Sequence, residues 1–307
     1  QEAGHAIQLG CYNWKRDCLD LRGLTAAGLD IPMPAMRPGD GSEPLAAAMA
    51  KKLGLRAGIP VIGPYMDHEA GYRALRQVGK RPMQVSLGTA WVANAVLPAQ
   101  TDRTLPLQIF MPALDAPGRF CVYPIRAGNQ TWDWALATFL GGTERKHIQA
   151  ADAMLAENAF PAAGLTALPF VYAANPIDHA VLGGVSFIGA GFDTTREDFL
   201  RATVAGLCYE FRRAVECAYP AGTCDAMILC GGTSRCPAIQ QIIAALFPDI
   251  RVYLNPEGDR AGPLGAVAAF GVAGMRALPR LAAPGAEFRR HAREGYIRYM
   301  EAHRRLA

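Results

Sequence analysis

Short apolar runs alternate with longer amphipathic stretches along this chain, a pattern typical of an α/β protein. Apolar runs that end in turns of glycine or small polar residues predict strands. These lie at Pro60–Ile62, Met83–Leu87, Ala90–Leu97, Arg119–Ile125, Ala226–Cys230 and Ile250–Leu254. A further short extended run is predicted at His5–Leu9, whereas Thr101–Gly118 and Leu165–Phe187 are predicted to be irregular.

Helical periodicity fills most of the intervening sequence. The longest pattern, Thr194–Tyr219, has Thr194 or Thr195 as its N-cap and two acids in its first turn. Other helices are predicted at Glu43–Leu53, Asp67–Val78, Asn129–Leu140, Lys146–Asn158, Pro237–Phe247 and Pro263–Met275. The basic segment Arg289–Arg305 is predicted to be a solvated terminal helix. Together these elements indicate a mixed sheet with helices on its faces.

Composition narrows the class of protein without identifying an activity. The 307 residues are enough for one large or two ordinary domains, and a net charge of +4 lacks the concentrated basic face of a nucleic-acid-binding protein. No uninterrupted apolar run is long enough to span a membrane. The eight cysteines form no CxxC pair and no secretory leader precedes them, so we expect reduced thiols and a cytoplasmic location.

Four glycine-bearing turns follow predicted strands and are the strongest chemical signal. They contain Gly63, Gly88-Thr89, Gly128-Asn129 and Gly231-Gly232. Each alone is a common turn, but glycine lets the backbone approach a ligand closely, and several such turns could surround a polyphosphate or nucleotide. P-loop, GxGxxG and GxSxG motifs are absent, and the histidines lack metal-ligand spacing, so no metal-binding residue is predicted.

Asp67 follows its strand closely and has two interpretations. It is either a helix N-cap or first-turn acid, or a general base that orients and deprotonates a hydroxyl nucleophile during phosphoryl transfer. The adjacent His68 is left unassigned, because a lone histidine is more often a packing or surface residue.

Several stretches closely resemble segments of the FGGY carbohydrate kinases. They are Val61–Asp67, similar to the segment with the catalytic aspartate; Val85–Thr89, similar to the phosphate hairpin; Arg201–Gly206, similar to the helix that usually reads RA-x-x-EG; and Ile228–Pro237 with Gln240–Ala244 and Gly262–Ala266, similar to the C-terminal domain. Their order and spacing match that family across nearly the whole chain.

The resemblance implies an actin-like ATPase (RNase H-like) fold with one complete C-terminal lobe and the tail end of the N-terminal lobe. Residues 1–76 would be the last part of the sugar-binding domain, 77–280 the nucleotide-binding domain, and 281–307 a basic C-terminal helix. It further implies Mg²⁺ and ATP as cofactors and a sugar, ketose or polyol as the small-molecule partner. The charge and the apolar pattern described above indicate neither a nucleic acid nor a membrane as partner. A homodimer is the assembly considered, although the sequence does not determine it.

The same resemblance implies a role for each candidate residue. Asp67 would deprotonate the sugar hydroxyl, Gly88 and Thr89 would contact the β- and γ-phosphates, Gly128 would lie by the phosphates, Gly231 and Gly232 would lie by the adenosine and α-phosphate, and Cys236 would face the nucleotide. These assignments are expectations carried over by position.

Departures from the family pattern leave alternatives open. The Asp-x-Gly phosphate loop and most sugar contacts would precede Gln1, so we expect a piece of a longer protein that is a poor kinase by itself. Ala205 replaces the usual Glu, Cys236 replaces a small polar residue, and no Gly-Glu-Arg stretch is visible in Phe170–Ala180. A non-catalytic nucleotide-binding or regulatory protein of this fold, and an actin-like ATPase without a sugar substrate, are the alternatives.

Overall fold

Twelve strands and ten α-helices are assigned in the part of the chain that the computed structural model describes, residues 3–36, 42–63, 65–75, 78–101, 104–113, 117–162, 164–172, 184–268 and 277–306. The strands are β1 (Tyr12–Asn13), β2 (Cys18–Leu19), β3 (Ser42–Pro44), β4 (Pro60–Ile62), β5 (Pro82–Leu87), β6 (Trp91–Leu97), β7 (Ile109–Pro112), β8 (Arg119–Ile125), β9 (Thr166–Leu168), β10 (Ser186–Ile188), β11 (Ala226–Cys230) and β12 (Arg251–Leu254). The helices are α1 (Ala3–Gln8), α2 (Arg22–Ala26), α3 (Ala47–Leu53), α4 (Asp67–Ala74), α5 (Asn129–Leu140), α6 (Arg145–Glu157), α7 (Arg196–Ala218), α8 (Pro237–Leu246), α9 (Ala261–Ala268) and α10 (Ala286–Leu306).

A six-stranded mixed sheet of order β12-β11-β5-β6-β8-β7 positions the candidate turns. Strands β5, β11 and β12 are parallel, with Ala226 opposite both Pro82 and Arg251, and the remaining pairs are antiparallel. Parallel strands end at the same edge of a sheet. The turns that follow Leu87 and Cys230 therefore lie side by side.

The two faces of this sheet pack against different helices. Along β5, Met83, Val85 and Leu87 are fully buried in the main core, which also contains apolar side chains of α5, α7 and α8. The alternate residues, including Gln84, face α4. Burial on both faces explains why the strands appear in the sequence as nearly continuous apolar runs.

The strongest local signals are confirmed. Strands β4, β5, β6, β8, β11 and β12 and helices α5, α6, α7 and α8 lie within two residues of their predicted ends. The N-cap of α7 is Thr195: its side chain accepts from the backbone N–H of Asp198, whose carboxylate accepts from the backbone N–H of Thr195. This reciprocal arrangement is a capping box.

Two short elements were predicted wrongly. The extended run at His5–Leu9 belongs to the helix α1, which is too short to form without tertiary contacts such as the burial of Gly4 and Ala6. The supposed loop Thr101–Gly118 contains the edge strand β7, whose Phe110 lies opposite Cys121. Its terminal proline is typical of edge strands and hid the signal.

Other segments were predicted in part. Strands β9 and β10 form a small antiparallel ladder that covers both ends of the supposedly irregular Leu165–Phe187 and extends to Ile188, and residues 173–183 lie outside the described residues. The first residues of Glu43–Leu53 belong to β3, which pairs with β4. Helix α4 ends at Ala74 rather than Val78, and residues 269–275 of the predicted last core helix are not described.

The C-terminal helix was predicted to be solvated, but in the structure one face of α10 packs on α7 and α8. Tyr299 is fully buried, and its hydroxyl donates to Glu210 at 2.6 Å. Glu210 in turn pairs with the buried Arg213 at 2.7 Å. The amphipathic pattern was visible in the sequence, but its partner helix lies about 90 residues earlier, as the separation of Tyr299 and Glu210 shows. No helix among the described residues has the length and apolarity required to cross a membrane.

Candidate functional site

The structure brings three of the four glycine-bearing turns together at one edge of the sheet. Gly88 lies between β5 and β6, Gly128 precedes α5, and Gly231 follows β11. The backbone N–H of Asn129 donates to the carbonyl of Gly88 at 3.2 Å, which joins the second turn to the first. The third turn contacts the end of β5, because a side chain on Gly231 would lie only 2.7 Å from the carbonyl oxygen of Leu87.

A pair of polar side chains connects these turns. The hydroxyl of Thr233 lies 2.8 Å from Oδ1 of Asn129 and 3.1 Å from the carbonyl oxygen of Leu87. Nε1 of Trp91 donates to the same Asn129 oxygen at 3.4 Å. We call Asn129 and Thr233 the polar clasp. The sequence analysis gave neither residue a role in the site. Asn129 directly follows Gly128 and Thr233 directly follows Gly232, and this position after a turn glycine is the signal that could have identified them.

The glycines of the cluster differ in the structural constraint that requires glycine at each position. A Cβ on Gly128 would lie 2.7 Å from the carbonyl oxygen of Thr89 and 2.9 Å from the nitrogen of Trp91. Gly231 has a φ of +94°, which side-chain-bearing residues rarely adopt. Gly88 has no such constraint: a Cβ there would meet nothing closer than 3.8 Å. Packing within the described residues therefore does not explain Gly88, whereas a ligand that approaches the hairpin closely would.

The backbone of this cluster suits an anion. Helix α5 begins immediately after Gly128, and no side chain among the described residues caps it. The N–H of Asn129 donates to Gly88 and those of Thr131 and Trp132 donate to the Gly128 carbonyl, so the attraction for an anion comes mainly from the helix dipole, which favours negative charge at this end. Thr89 and Gly232 are exposed next to this helix end. A phosphate group is the kind of ligand for which such an arrangement is suited.

Cys236 does not share the exposed surface of the turns. It is the N-cap of α8, its side chain is buried in the main core, and burial raises the pKa of its thiol to about 12. The nearby carboxylate of Asp152 on α6 raises the pKa as well. The structure thus places the thiol among helices, away from the face that Gly88 and Gly232 present.

Asp67 is exposed and is the first residue of α4, whose N-cap is Met66. It is therefore a first-turn acid rather than the N-cap. Oδ1 of Asp67 accepts from the backbone N–H of His68 at 2.9 Å. Its exposed carboxylate is an acceptor when ionised and suits contact with a substrate hydroxyl.

His68, which the sequence left unassigned, connects this helix end to the central sheet. Its Nδ1 lies 3.2 Å from Nδ2 of Asn94, and the same amide donates to Oε1 of Gln84 at 3.2 Å. Burial lowers the pKa of His68, although the charge of Asp67 opposes this shift. Gln84 lies on β5 four residues before Gly88, so the start of α4 contacts the strand that leads into the hairpin.

Gly71 allows α4 to approach the sheet this closely. A Cβ on Gly71 would lie 2.6 Å from Nε2 of Gln84.

No group of three or more histidine, cysteine, aspartate or glutamate side chains in the described ranges could hold a metal ion. Mg²⁺ in phosphoryl-transfer sites is usually held by substrate phosphates and one or two carboxylates, so such a group is not required for it.

Comparison with protein families identifies the chain's relatives. The sequence model of the FGGY family of carbohydrate kinases, C-terminal domain, matches residues 83–274. The chain belongs to the FGGY family of carbohydrate kinases. The resemblance inferred from the sequence is thereby confirmed, and no curated protein matches the sequence significantly.

Solved structures of FGGY kinases share the fold. A xylulose kinase from Brucella ovis is 21% identical with a TM-score of 0.84, and the chain aligns over 100% of its own length and 65% of that protein. A gluconate kinase from Lactobacillus acidophilus is 16% identical with a TM-score of 0.80, covering 100% and 64%. Plasmodium falciparum glycerol kinase with ADP is 12% identical with a TM-score of 0.76, covering 100% and 63%. The predicted actin-like ATPase fold is confirmed, and the chain spans slightly less than two thirds of these relatives.

Proposed function

We propose that this chain is the C-terminal portion of a carbohydrate kinase that transfers the γ-phosphate of ATP to a hydroxyl of a sugar, ketose or polyol. Residues 1–76 contribute the last part of the sugar-binding lobe, 77–280 form the nucleotide-binding lobe, and 281–307 form a C-terminal helix on that lobe. Membership of the FGGY family supports this proposal. The convergence of the three glycine turns is the observation that carries it.

The turn cluster provides the nucleotide site in this proposal. Gly88 and Thr89 contact the β- and γ-phosphates, and Gly128 with the N-terminus of α5 provides backbone groups beside them. Gly231 and Gly232 lie along the adenosine and α-phosphate. The open space at Gly88 supports this arrangement, because the protein's own packing leaves room where a phosphate would approach. Mg²⁺ enters with ATP and neutralises developing phosphate charge.

Asp67 is the proposed general base. One of its carboxylate oxygens accepts the backbone N–H of His68, which restrains the side chain at the start of α4. Its exposure lets the carboxylate accept the proton of the attacking hydroxyl. The lowered pKa of His68 keeps that ring uncharged at neutral pH, so it does not compete as a cation for the Asp67 carboxylate.

Titration of Mg-ADP into the chain tests the nucleotide site. Gly88→Ala adds one methyl group where the fold has room but a bound phosphate would not, and we expect affinity to fall about tenfold with unchanged thermal stability. Gly191→Ala is the matched control, because a Cβ there would likewise meet nothing closer than 3.8 Å and Gly191 lies outside the turn cluster. Undiminished affinity of the Gly88 variant would remove the hairpin from the proposed site.

Phosphoryl transfer to a panel of ketoses and polyols, measured with the full-length protein, tests the base. Asp67→Asn keeps the shape of the side chain but cannot accept a proton, so we expect transfer to fall about 10²- to 10⁴-fold while Mg-ADP affinity is retained. Asp193→Asn, which changes an exposed acid in the loop before α7, is the control. Equal activity of the Asp67 variant and its control would assign Asp67 a purely structural role.

A non-catalytic nucleotide-binding protein is the second candidate. Ala205, at the position where FGGY kinases usually have Glu, is buried among apolar side chains of the main core. That position therefore offers no carboxylate to the turn cluster. A full-length protein that binds Mg-ADP but transfers phosphate to none of the panel would favour this candidate over the kinase.

A further inference from the structure

A large cavity lies at the edge of the sheet opposite the glycine turns. Its volume is about 850 Å³, and it is formed by the segments that precede β11 and β12, the C-terminal part of α7, the end of α8 and the start of α10. Met83, at the start of β5, is part of its wall. Strand β11 has five residues, which at about 3.3 Å per residue separates this cavity from the Gly231 turn by about 17 Å. The cavity is therefore distinct from the proposed nucleotide site.

Arginines from two helices give this cavity a positive lining. Arg212 of α7 and Arg289, Arg290 and Arg293 of α10 line it, against the two carboxylates of Glu216 and Asp249. Glu216 is already bound, because it accepts from Arg212 at 2.7 Å and from the hydroxyl of Tyr296 at 2.7 Å.

Of the remaining arginines, Arg289 and Arg293 are available to an anion, whereas Arg290 has acidic neighbours. Arg290 lies 3.8 Å from Glu287 and 4.0 Å from Glu294, at the limit of ion-pair distance. The side chains of Arg289 and Arg293 are exposed and form no hydrogen bond or ion pair with the rest of the described chain. They lie one helical turn apart, so both guanidinium groups project from the same side of α10.

The floor of the cavity is apolar. Val215, Tyr219, Phe247 and Ile250 contribute to it, and burial keeps the Tyr219 pKa well above its usual value, so this side chain stays uncharged. A concave site of this volume, apolar below and with a few charged groups at its rim, has the usual form of a small-molecule site.

We propose that this cavity binds a small organic phosphate whose apolar or aromatic body lies on the floor and whose phosphate is bound by Arg289 and Arg293. Guanidinium groups bind phosphate oxygens through paired, charge-assisted hydrogen bonds, which explains the choice of anion. The size of the cavity explains the apolar body, because a phosphate ion alone would leave most of it empty. The proposal is independent of the kinase activity.

Calorimetric titration with phenyl phosphate tests both parts of the proposed ligand. We expect one molecule to bind per chain, more tightly than inorganic phosphate and more tightly than phenol, with affinity that falls as salt is added. Inorganic pyrophosphate with Mg²⁺, which has no aromatic body to lie on the floor, should compete weakly. Binding of phenyl phosphate that Mg-ADP displaces equally in the unmodified chain and in a chain without Arg289 and Arg293 would place phenyl phosphate in the turn cluster and overturn the proposal.

Matched variants separate the arginine site from general attraction by a basic helix. Arg289→Ser with Arg293→Ser should weaken phenyl phosphate binding about tenfold or more, because two charge-assisted contacts are lost. Arg298→Ser with Arg305→Ser removes the same charge from α10 outside the cavity and should leave binding unchanged. Equal losses in both double variants would refute the site.

A third variant tests the cavity itself. Ala286→Trp places a large side chain at an exposed position of the cavity wall without changing charge, and it should block phenyl phosphate while thermal stability is retained. Absence of binding to the unmodified chain would overturn the proposal, and sedimentation at two concentrations would then show whether a second copy of the chain covers the cavity.

Discussion

Replacement of Thr233 by valine tests whether the turn cluster depends on the polar clasp. The Thr233 side chain is 5% exposed, and its hydroxyl lies within hydrogen-bond distance of Asn129 and of the Leu87 carbonyl. A hydroxyl has one proton and therefore donates to one of these acceptors at a time. Valine keeps the volume but removes the donor, which leaves the Asn129 oxygen with only the 3.4 Å contact from Trp91. We expect the free energy of unfolding to fall by about 1–2 kcal/mol.

The same change should weaken nucleotide binding. The clasp fixes the Gly128 and Gly231 turns relative to each other. Without it, these turns must become ordered when the nucleotide binds, which reduces the binding free energy. An ordering free energy of about 1 kcal/mol corresponds to about a fivefold rise in the dissociation constant of Mg-ADP. Urea denaturation measures the first effect, and calorimetric titration of Mg-ADP measures the second.

Thr203→Val is the control for this experiment. Thr203 is fully buried, and its hydroxyl donates to the carbonyl of Phe199 at 2.8 Å within α7. That carbonyl keeps its backbone partner in the helix, so we expect a change in stability below about 0.5 kcal/mol and no change in nucleotide affinity. Equal effects of the two substitutions on Mg-ADP affinity, or full affinity in the Thr233 variant, would show that the clasp does not organise the site.

Two further predictions concern charges that hold the lobe together. The Asp225 carboxylate accepts from the backbone N–H just before β5 and pairs with Arg251. Burial alone would raise the pKa of Asp225, but these contacts outweigh burial and hold the pKa below its usual value. The stability that the ionised carboxylate provides is present above the unfolded pKa and is lost as pH falls through the folded pKa. Asp225→Asn should therefore lower stability to urea at pH 7 and differ less from the unmodified chain near pH 3. A stability difference between the two chains that does not depend on pH would contradict this. Tyr299→Phe removes a buried donor to Glu210 and should lower the free energy of unfolding by about 2 kcal/mol. Tyr296→Phe is the comparison: the Tyr296 hydroxyl donates to the half-exposed carboxylate of Glu216, so its loss should cost less. Equal losses would show that burial does not strengthen the Tyr299 hydrogen bond.

Local sequence signals were sufficient for the elements that are buried on both sides. Strands β5, β6, β8 and β11 have long apolar runs, and α7 has a capping box that depends only on neighbouring residues. Helix α1 and strand β7 were missed because six- and four-residue segments have little periodicity of their own. Their conformations depend on partners elsewhere in the chain, such as β8 for β7.

The sequence by itself determined the positions of the central strands along the chain, the glycine turns that follow them, and the family to which the chain belongs. Only the tertiary structure decided which turns touch, which glycine is open to a ligand, and that the thiol of Cys236 is buried. The physical reason is separation along the chain. Thr233 and Asn129 are 104 residues apart, and their hydrogen bond depends on the parallel register of β5 and β11, which no local propensity encodes.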